Sequence, residues 1–183
     1  MHRVIVLMIV FLAVGTLIGG STVCALSRNV SKLTVTSTAF RDGETIPTKY
    51  TADGANVSPP LSISGVPSGS KSIALICDDP DAPRGTFVHW VLFNWPVREK
   101  SIPENVPPMQ KLANGAIQGK NDFGRIGYGG PAPPSGVHRY YFKVYALDIK
   151  LDLKPGSTKQ QLEKAMKDHI VGKGQLMGRY GRK

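Results

Sequence analysis

Four polar side chains interrupt or border apolar runs and could do chemistry together. Asp79 ends the run from Lys71 at Asp79-Pro80-Asp81-Ala82-Pro83, His89 sits inside Thr86 to Trp95, and His138 and Tyr140 open a run that reaches Leu147. They supply a carboxylate, two imidazoles and a phenol. Imidazole, phenol and free backbone N–H groups all donate hydrogen bonds, which suits an anion such as a phosphate or carboxylate. A buried Asp can orient one His and stabilise its charged form. Each residue also has a plainer role. Asp79 can cap the turn before Pro80, and Asp81 can be a turn residue or surface-loop anchor. His89 alone reads as a satisfied core histidine, and Tyr140 alone as core with its hydroxyl at the surface. His169, on a helical apolar stripe, reads as packing. The functional reading rests on these polar groups falling beside two proline-locked loops.

The elements must bring these side chains together. Gly127 to Gly136 carries four glycines and three prolines, so it forms neither helix nor central strand. The β-branched and aromatic stretch His138 to Leu147 follows as a strand. Alternation places His138, Tyr140, Phe142 and Val144 on one face, with Arg139, Tyr141 and Lys143 on the other. Polar rings thus precede apolar ones, as at a pocket mouth above a core. On Thr86 to Trp95, alternation groups Phe87, His89, Val91 and Phe93.

Other segments complete an all-β reading. Strands are expected at Lys32 to Thr38, Ile46 to Tyr50, Leu61 to Ile63, Lys71 to Asp79, Thr86 to Trp95 and Leu112 to Gly119. Turns fall at Arg41-Asp42-Gly43, Ala52 to Asn56 and Gly65 to Gly69. Ile102 to Pro108 reads as a proline-broken loop and Lys120 to Arg125 as a polar loop. Ser157 is the expected N-cap of a helix over Thr158 to Val171, with Leu162, Ala165, Met166, His169 and Ile170 at helical spacing. Gly172 and Gly174 are expected to end it. The predicted fold is mainly β: an antiparallel β-sandwich of two sheets with a C-terminal helix and short peripheral helices.

The chain has 183 residues, enough for one domain with a substantial core. Val4 to Ile18 is an almost unbroken apolar run after Arg3, and Val23-Cys24-Ala25 fits a small-x-small cleavage pattern. Residues 1–25 therefore read as a signal peptide, and 26–183 as a single exported domain, periplasmic or extracellular. An uncleaved membrane anchor is the alternative, and a lipoprotein site at Cys24 is disfavoured by bulky Val23. After cleavage only Cys77 remains, so no internal disulfide can form, and it reads as a small buried hydrophobe. Loss of Arg3 takes the formal charge from +10 to +9, which favours anions and acidic membrane surfaces. Scattered basic residues and no recognisable nucleic-acid module exclude nucleic acid as the expected partner. The sequons Asn29-Val30-Ser31 and Asn56-Val57-Ser58 carry little weight, the second being followed by Pro59.

Several of these residues recur together elsewhere. Asp79-Pro80-Asp81-Ala82-Pro83, His89, Tyr128-Gly129-Gly130-Pro131-Ala132-Pro133-Pro134 and Gly136-Val137-His138-Arg139-Tyr140 resemble the signature of the phosphatidylethanolamine-binding protein family, also called the Raf kinase inhibitor protein family. The proline layout, and Leu176-Met177-Gly178-Arg179-Tyr180, resemble its bacterial and archaeal branch. The resemblance spans Lys32 to Tyr180. It implies a two-sheet β-sandwich and a pocket for phosphate-type anions or phospholipid head groups. Asp79, His89, His138 and Tyr140 match that pocket, with Gly130 and Pro131 in its rim loop. Phe87 stands where eukaryotic relatives often have Trp, which bears on head-group preference.

The expected function is a non-catalytic binding protein for a small anionic ligand such as phosphate or phosphoethanolamine, without metal or cofactor and with no catalytic residues. Alternatives are a protein inhibitor of a protease or kinase acting through a loop such as Ile102 to Pro108, and a metal-dependent hydrolase using Asp79, His89 and His138. No H-E-x-x-H or paired-Cys signature supports the metal reading. Ser135 lies near His138, but no G-x-S-x-G elbow supports a serine hydrolase. The protein target and the oligomeric state, a homodimer included, stay open.

Overall fold

The computed structural model describes residues 29–182. The expected signal segment, 1–25, lies outside the described residues. In chain order the strands are β1 Ser31–Lys32, β2 Thr34–Thr36, β3 Leu61–Ser64, β4 Ser72–Asp79, β5 Phe87–Trp95, β6 Ser101–Ile102, β7 Ile117–Gln118 and β8 Val137–Leu147. Helix α1, Lys159–Met166, and β9, Ile170–Gly181, follow. A six-stranded sheet has the order β1-β9-β8-β4-β5-β7, and a three-stranded sheet the order β2-β3-β6. All pairings are antiparallel except β1 with β9. The expected mainly β fold of two sheets with one helix is what the chain adopts.

The two faces of the large sheet are both covered. Val35, Leu61, Ile63 and Ile102 from the small sheet pack on Leu75, Leu92, Phe142 and Leu176. On the far face, Ala74, Ile76, Val91 and Phe93 lie under Leu162 and Met166 of α1. Strand β4, buried at every position, therefore reads as a continuous apolar run. Its last two residues diverge. Asp78 faces the helix layer, where Lys143 Nζ at 2.8 Å and Lys159 Nζ at 2.5 Å pair with its carboxylate. Asp79 faces the other way, at the open end of the sandwich.

Four local expectations are corrected. The segment Thr48–Tyr50 is a short 3₁₀ helix rather than a strand, and its Tyr50 is buried. The stretch read as a loop from Ile102 begins with paired strand β6, and Val106 N–H donates to Ser58 Oγ at 2.9 Å. The helix is shorter than expected and is capped by Thr158, not Ser157. Thr158 Oγ1 accepts from Gln161 N–H, and Gln161 Oε1 accepts from Thr158 N–H, a reciprocal capping box.

The largest correction is β9. Gly172 and Gly174 do not end a helix; they lie in a twelve-residue strand paired with β8 along its whole length. Here the small residues serve close backbone approach. A Cβ on Gly174 would sit 2.3 Å from the Leu33 carbonyl oxygen, and one on Gly178 would sit 2.4 Å from Ile46 Cγ1. The chain before β3 crosses β9 at backbone distance, with Leu33 N–H donating to Lys173 O and Ile46 N–H to Arg179 O.

Candidate ligand pocket

A cavity of about 180 Å³ opens at the end of the sandwich where β4 stops, β5 starts and β8 starts. Asp79, His89, His138 and Tyr140 all line it, with Phe87, Phe123 and the proline residues Pro83, Pro133 and Pro134. It is smaller than the roughly 300–1,000 Å³ of drug-sized sites, so it suits a compact group. The four polar side chains are 0–7 % exposed.

Register explains why they meet. On β4 and β8 the alternation runs unbroken, so Asp79, His138 and Tyr140 continue the inner faces of Cys77 and Phe142. On β5 it breaks. Cys77 pairs with Trp90 but Asp78 pairs with Val88, so one residue of β5 is left over at His89. This bulge lets His89 and Trp90 both turn inward, and it sends Val91 and Phe93 to the helix face. The expected grouping of Phe87 and His89 with Val91 and Phe93 is therefore corrected. Without the extra residue His89 would face the helix layer.

Each ring is held by one nitrogen. His138 Nδ1 lies 2.7 Å from Asp79 Oδ2, and Asp79 Oδ1 accepts from Asp81 N–H at 2.8 Å. A carboxylate only accepts, so His138 carries a proton on Nδ1. His89 Nδ1 lies 2.6 Å from the Gly129 carbonyl oxygen, which likewise requires Nδ1–H. Both neutral rings therefore keep their lone pair on Nε2. Burial pushes the His89 pKa down, against the smaller opposing pulls of the Gly129 carbonyl and Asp79. The His89 ring also stands edge-on to Tyr140 at 5.1 Å and to Phe123 at 5.4 Å.

Tyr140 is different. Its hydroxyl is buried and makes no well-formed hydrogen bond among the described residues, although the Asp79 carboxylate lies near it. Burial, then the nearby Asp79 charge, push its pKa far up, so it stays a neutral O–H donor. Buried polar groups are rarely left unpaired, and an orphan donor at a cavity wall marks where an acceptor belongs.

Gly130 and Pro131 stand one step behind the wall. Gly130 N–H donates to Asn56 Oδ1 at 2.7 Å, and the Pro131 carbonyl accepts from Ala52 N–H at 3.0 Å. Their loop neighbours Ala132, Pro133 and Pro134 face the cavity. Asp81, read as a turn residue or anchor, takes two guanidinium hydrogen bonds from Arg139, Nε at 2.9 Å and Nη2 at 2.6 Å, and clasps the β4 exit to the β8 entry. Those bonds hold its carboxyl pKa down at about 2. His169 is remote from the cavity and pairs with Asp148 at 2.8 Å. Phe123 was not foreseen; the signal available was a lone aromatic in the polar loop Lys120 to Arg125. Asp122 anchors that loop, its Oδ2 accepting from Val88 N–H at 2.8 Å beside the bulge. Among the described residues no three His, Cys, Asp or Glu side chains group to hold a metal ion.

Comparison with known proteins gives the family of the chain. The pattern of the phosphatidylethanolamine-binding protein family matches residues 36–181. A UPF0098 protein of Methanothermobacter thermautotrophicus is 54% identical over 144 residues, covering 79% of this chain and 95% of the relative. One from Pyrococcus abyssi is 52% identical over 151 residues, covering 80% and 84%. Among solved structures, a phosphatidylethanolamine-binding protein homologue of Chlamydia trachomatis superposes with a TM-score of 0.77 at 41% identity, covering 84% of this chain and 99% of its own. Escherichia coli YbcL, described as a member of the mammalian PEBP family, gives 0.76 at 34% identity, covering 82% and 99%. This chain belongs to the phosphatidylethanolamine-binding protein family.

Proposed function

We propose that the cavity binds a small phosphate-type anion, free or as the head group of a phospholipid, and that it does so without catalysis. The observation that carries this reading is the buried Tyr140 hydroxyl on the cavity wall, which makes no well-formed hydrogen bond among the described residues. It offers one donor in a site whose other polar side chains are two imidazoles and the Asp79 carboxylate that holds one of them. Both imidazoles are held at Nδ1, which leaves Nε2 as the remaining ring nitrogen of each for a ligand.

That arrangement sets the proton count. Two neutral Nε2 lone pairs repel a fully ionised phosphate. A proton must lie between anion and ring, carried either by the imidazole or by a P–OH group of the monoanion. Binding therefore takes up protons above the histidine pKa range, and affinity falls as pH rises. Asp79, through Nδ1, fixes the orientation of the His138 ring beside the cavity. The net positive surface draws anions toward the mouth.

Calorimetry with inorganic phosphate and with phosphoethanolamine tests the reading. The wild type should bind, His138→Ala should not, and the observed enthalpy should change with the ionisation enthalpy of the buffer. A folded wild type that binds neither ligand, or binds with no proton uptake, sinks it.

A further inference from the structure

The rim loop that carries Gly129 to Pro134 is held from outside the pocket. Arg182, beyond the end of β9, grips Asp53 through Nε at 3.0 and 2.9 Å and Nη2 at 2.7 Å. Tyr180 Oη donates to the same carboxylate at 2.9 Å. Asp53 belongs to the turn that follows the 3₁₀ helix, and that turn is the backing of the rim loop. Ala52 N–H donates to Pro131 O at 3.0 Å, and Asn56 Oδ1 accepts from Gly130 N–H at 2.7 Å. The two backbones touch: a Cβ on Gly130 would lie 2.7 Å from the Tyr50 carbonyl oxygen. On its other side the rim loop holds His89, since Gly129 O accepts from Nδ1 and Gly129 N–H donates to His89 O at 2.9 Å.

We propose that Arg182 is a positioning residue for the pocket: its ion pair with Asp53 fixes the 51–56 turn, and through it the rim loop and the His89 ring. The inference rests on the anion-pocket reading for its effect on affinity, and on geometry alone for its effect on the rim. Neither Arg182 nor Asp53 lines the cavity. Their contribution is the fraction of molecules whose rim is correctly set, and apparent affinity falls in proportion to that fraction. A plain surface ion pair would leave rim and ligand unaffected.

Two readouts on the full chain decide it. Amide hydrogen exchange in the ligand-free protein reports the rim directly. In Arg182→Gln and in Asp53→Asn, the Gly129, Gly130 and Ala52 amides should exchange at least about fivefold faster, while Leu75 and Val144 in the sheet keep their rates. Phosphate affinity should fall about three- to fivefold in both variants. The charge-swapped pair Asp53→Arg with Arg182→Asp should recover most of each loss. Unchanged exchange at Gly129, Gly130 and Ala52 overturns the proposal, as does acceleration that extends equally to Leu75 and Val144. Unchanged affinity alongside loosened rim amides overturns its functional half. A wild type that binds no phosphate removes the anion-pocket reading, and rim exchange then still decides the clasp.

Discussion

Asp79 and His138 meet at the end of adjacent strands with Oδ2 and Nδ1 2.7 Å apart, both almost fully removed from solvent. Asp79 also closes its own turn through Asp81 N–H. Replacing it with Ala leaves the buried His138 Nδ1–H and the half-buried Asp81 N–H without their acceptor. We expect Asp79→Ala to lose about 2–4 kcal/mol of stability in urea denaturation. A loss under about 0.5 kcal/mol, inside the range of ordinary surface changes, would show that water replaces the carboxylate at no cost.

Tyr140→Phe separates stability from binding. The hydroxyl makes no well-formed hydrogen bond among the described residues, so the free protein should be within about 1 kcal/mol of wild type. Phosphate, however, loses a hydrogen bond to a charged acceptor, and affinity should drop by about tenfold or more. Equal affinity in the two proteins would place the ligand elsewhere.

His89 gives a pH signature. Burial lowers its folded pKa below the unfolded value of 6.5. The unfolded chain then binds the proton more readily, so stability declines as pH falls through about 6.5 and levels off below the folded pKa. His89→Gln, which keeps a donor toward Gly129, should flatten this part of the profile relative to wild type. Urea midpoints at pH 7.5 and 5.5 provide the check; an identical difference in both proteins refutes the assignment. Saturating phosphate should offset the acid-side loss in the wild type, because bound anion stabilises the protonated ring.

Gly174→Ala tests the crossing of the first strands over β9. The added carbon would stand 2.3 Å from a backbone oxygen, which no rotamer relieves. A destabilisation of about 2–4 kcal/mol is expected, against about zero to a slight gain where a strand glycine faces open space. Thermal unfolding of this variant beside wild type measures it, and a neutral result would mean that the Leu33 backbone can withdraw freely.

Much of this architecture was legible because β4, β5 and β8 are dense in β-branched and aromatic residues. His138 and Tyr140 were grouped by alternation on a strand that keeps it, and Asp79 joined them as a strand-end residue and through the family resemblance. The failures have specific causes. His89 reaches the cavity through a bulge, and an extra residue in a ladder leaves no mark on a pattern of period two. Strand β9 was missed because its glycines are selected by contact with Leu33 and Ile46, far away in sequence, rather than by strand preference. The helix start was off by one because Ser157 and Thr158 are both good caps. Gln161, three residues after Thr158, was the discriminating signal. The rim's support by Asn56 and Asp53 came from no local pattern, since a turn residue's tertiary partner is decided by the fold.

The pairing of β1 with β9 joins Ser31 to Gly172. These residues are about 140 apart, so the edge strand β1 waits for a partner made much later in translation. A ribosome-bound chain ending before residue 170 should hold β8 with an open edge and remain sensitive to protease. Resistance at that length would show that the edge closes without β9. Closure of this sheet edge therefore follows the synthesis of β9.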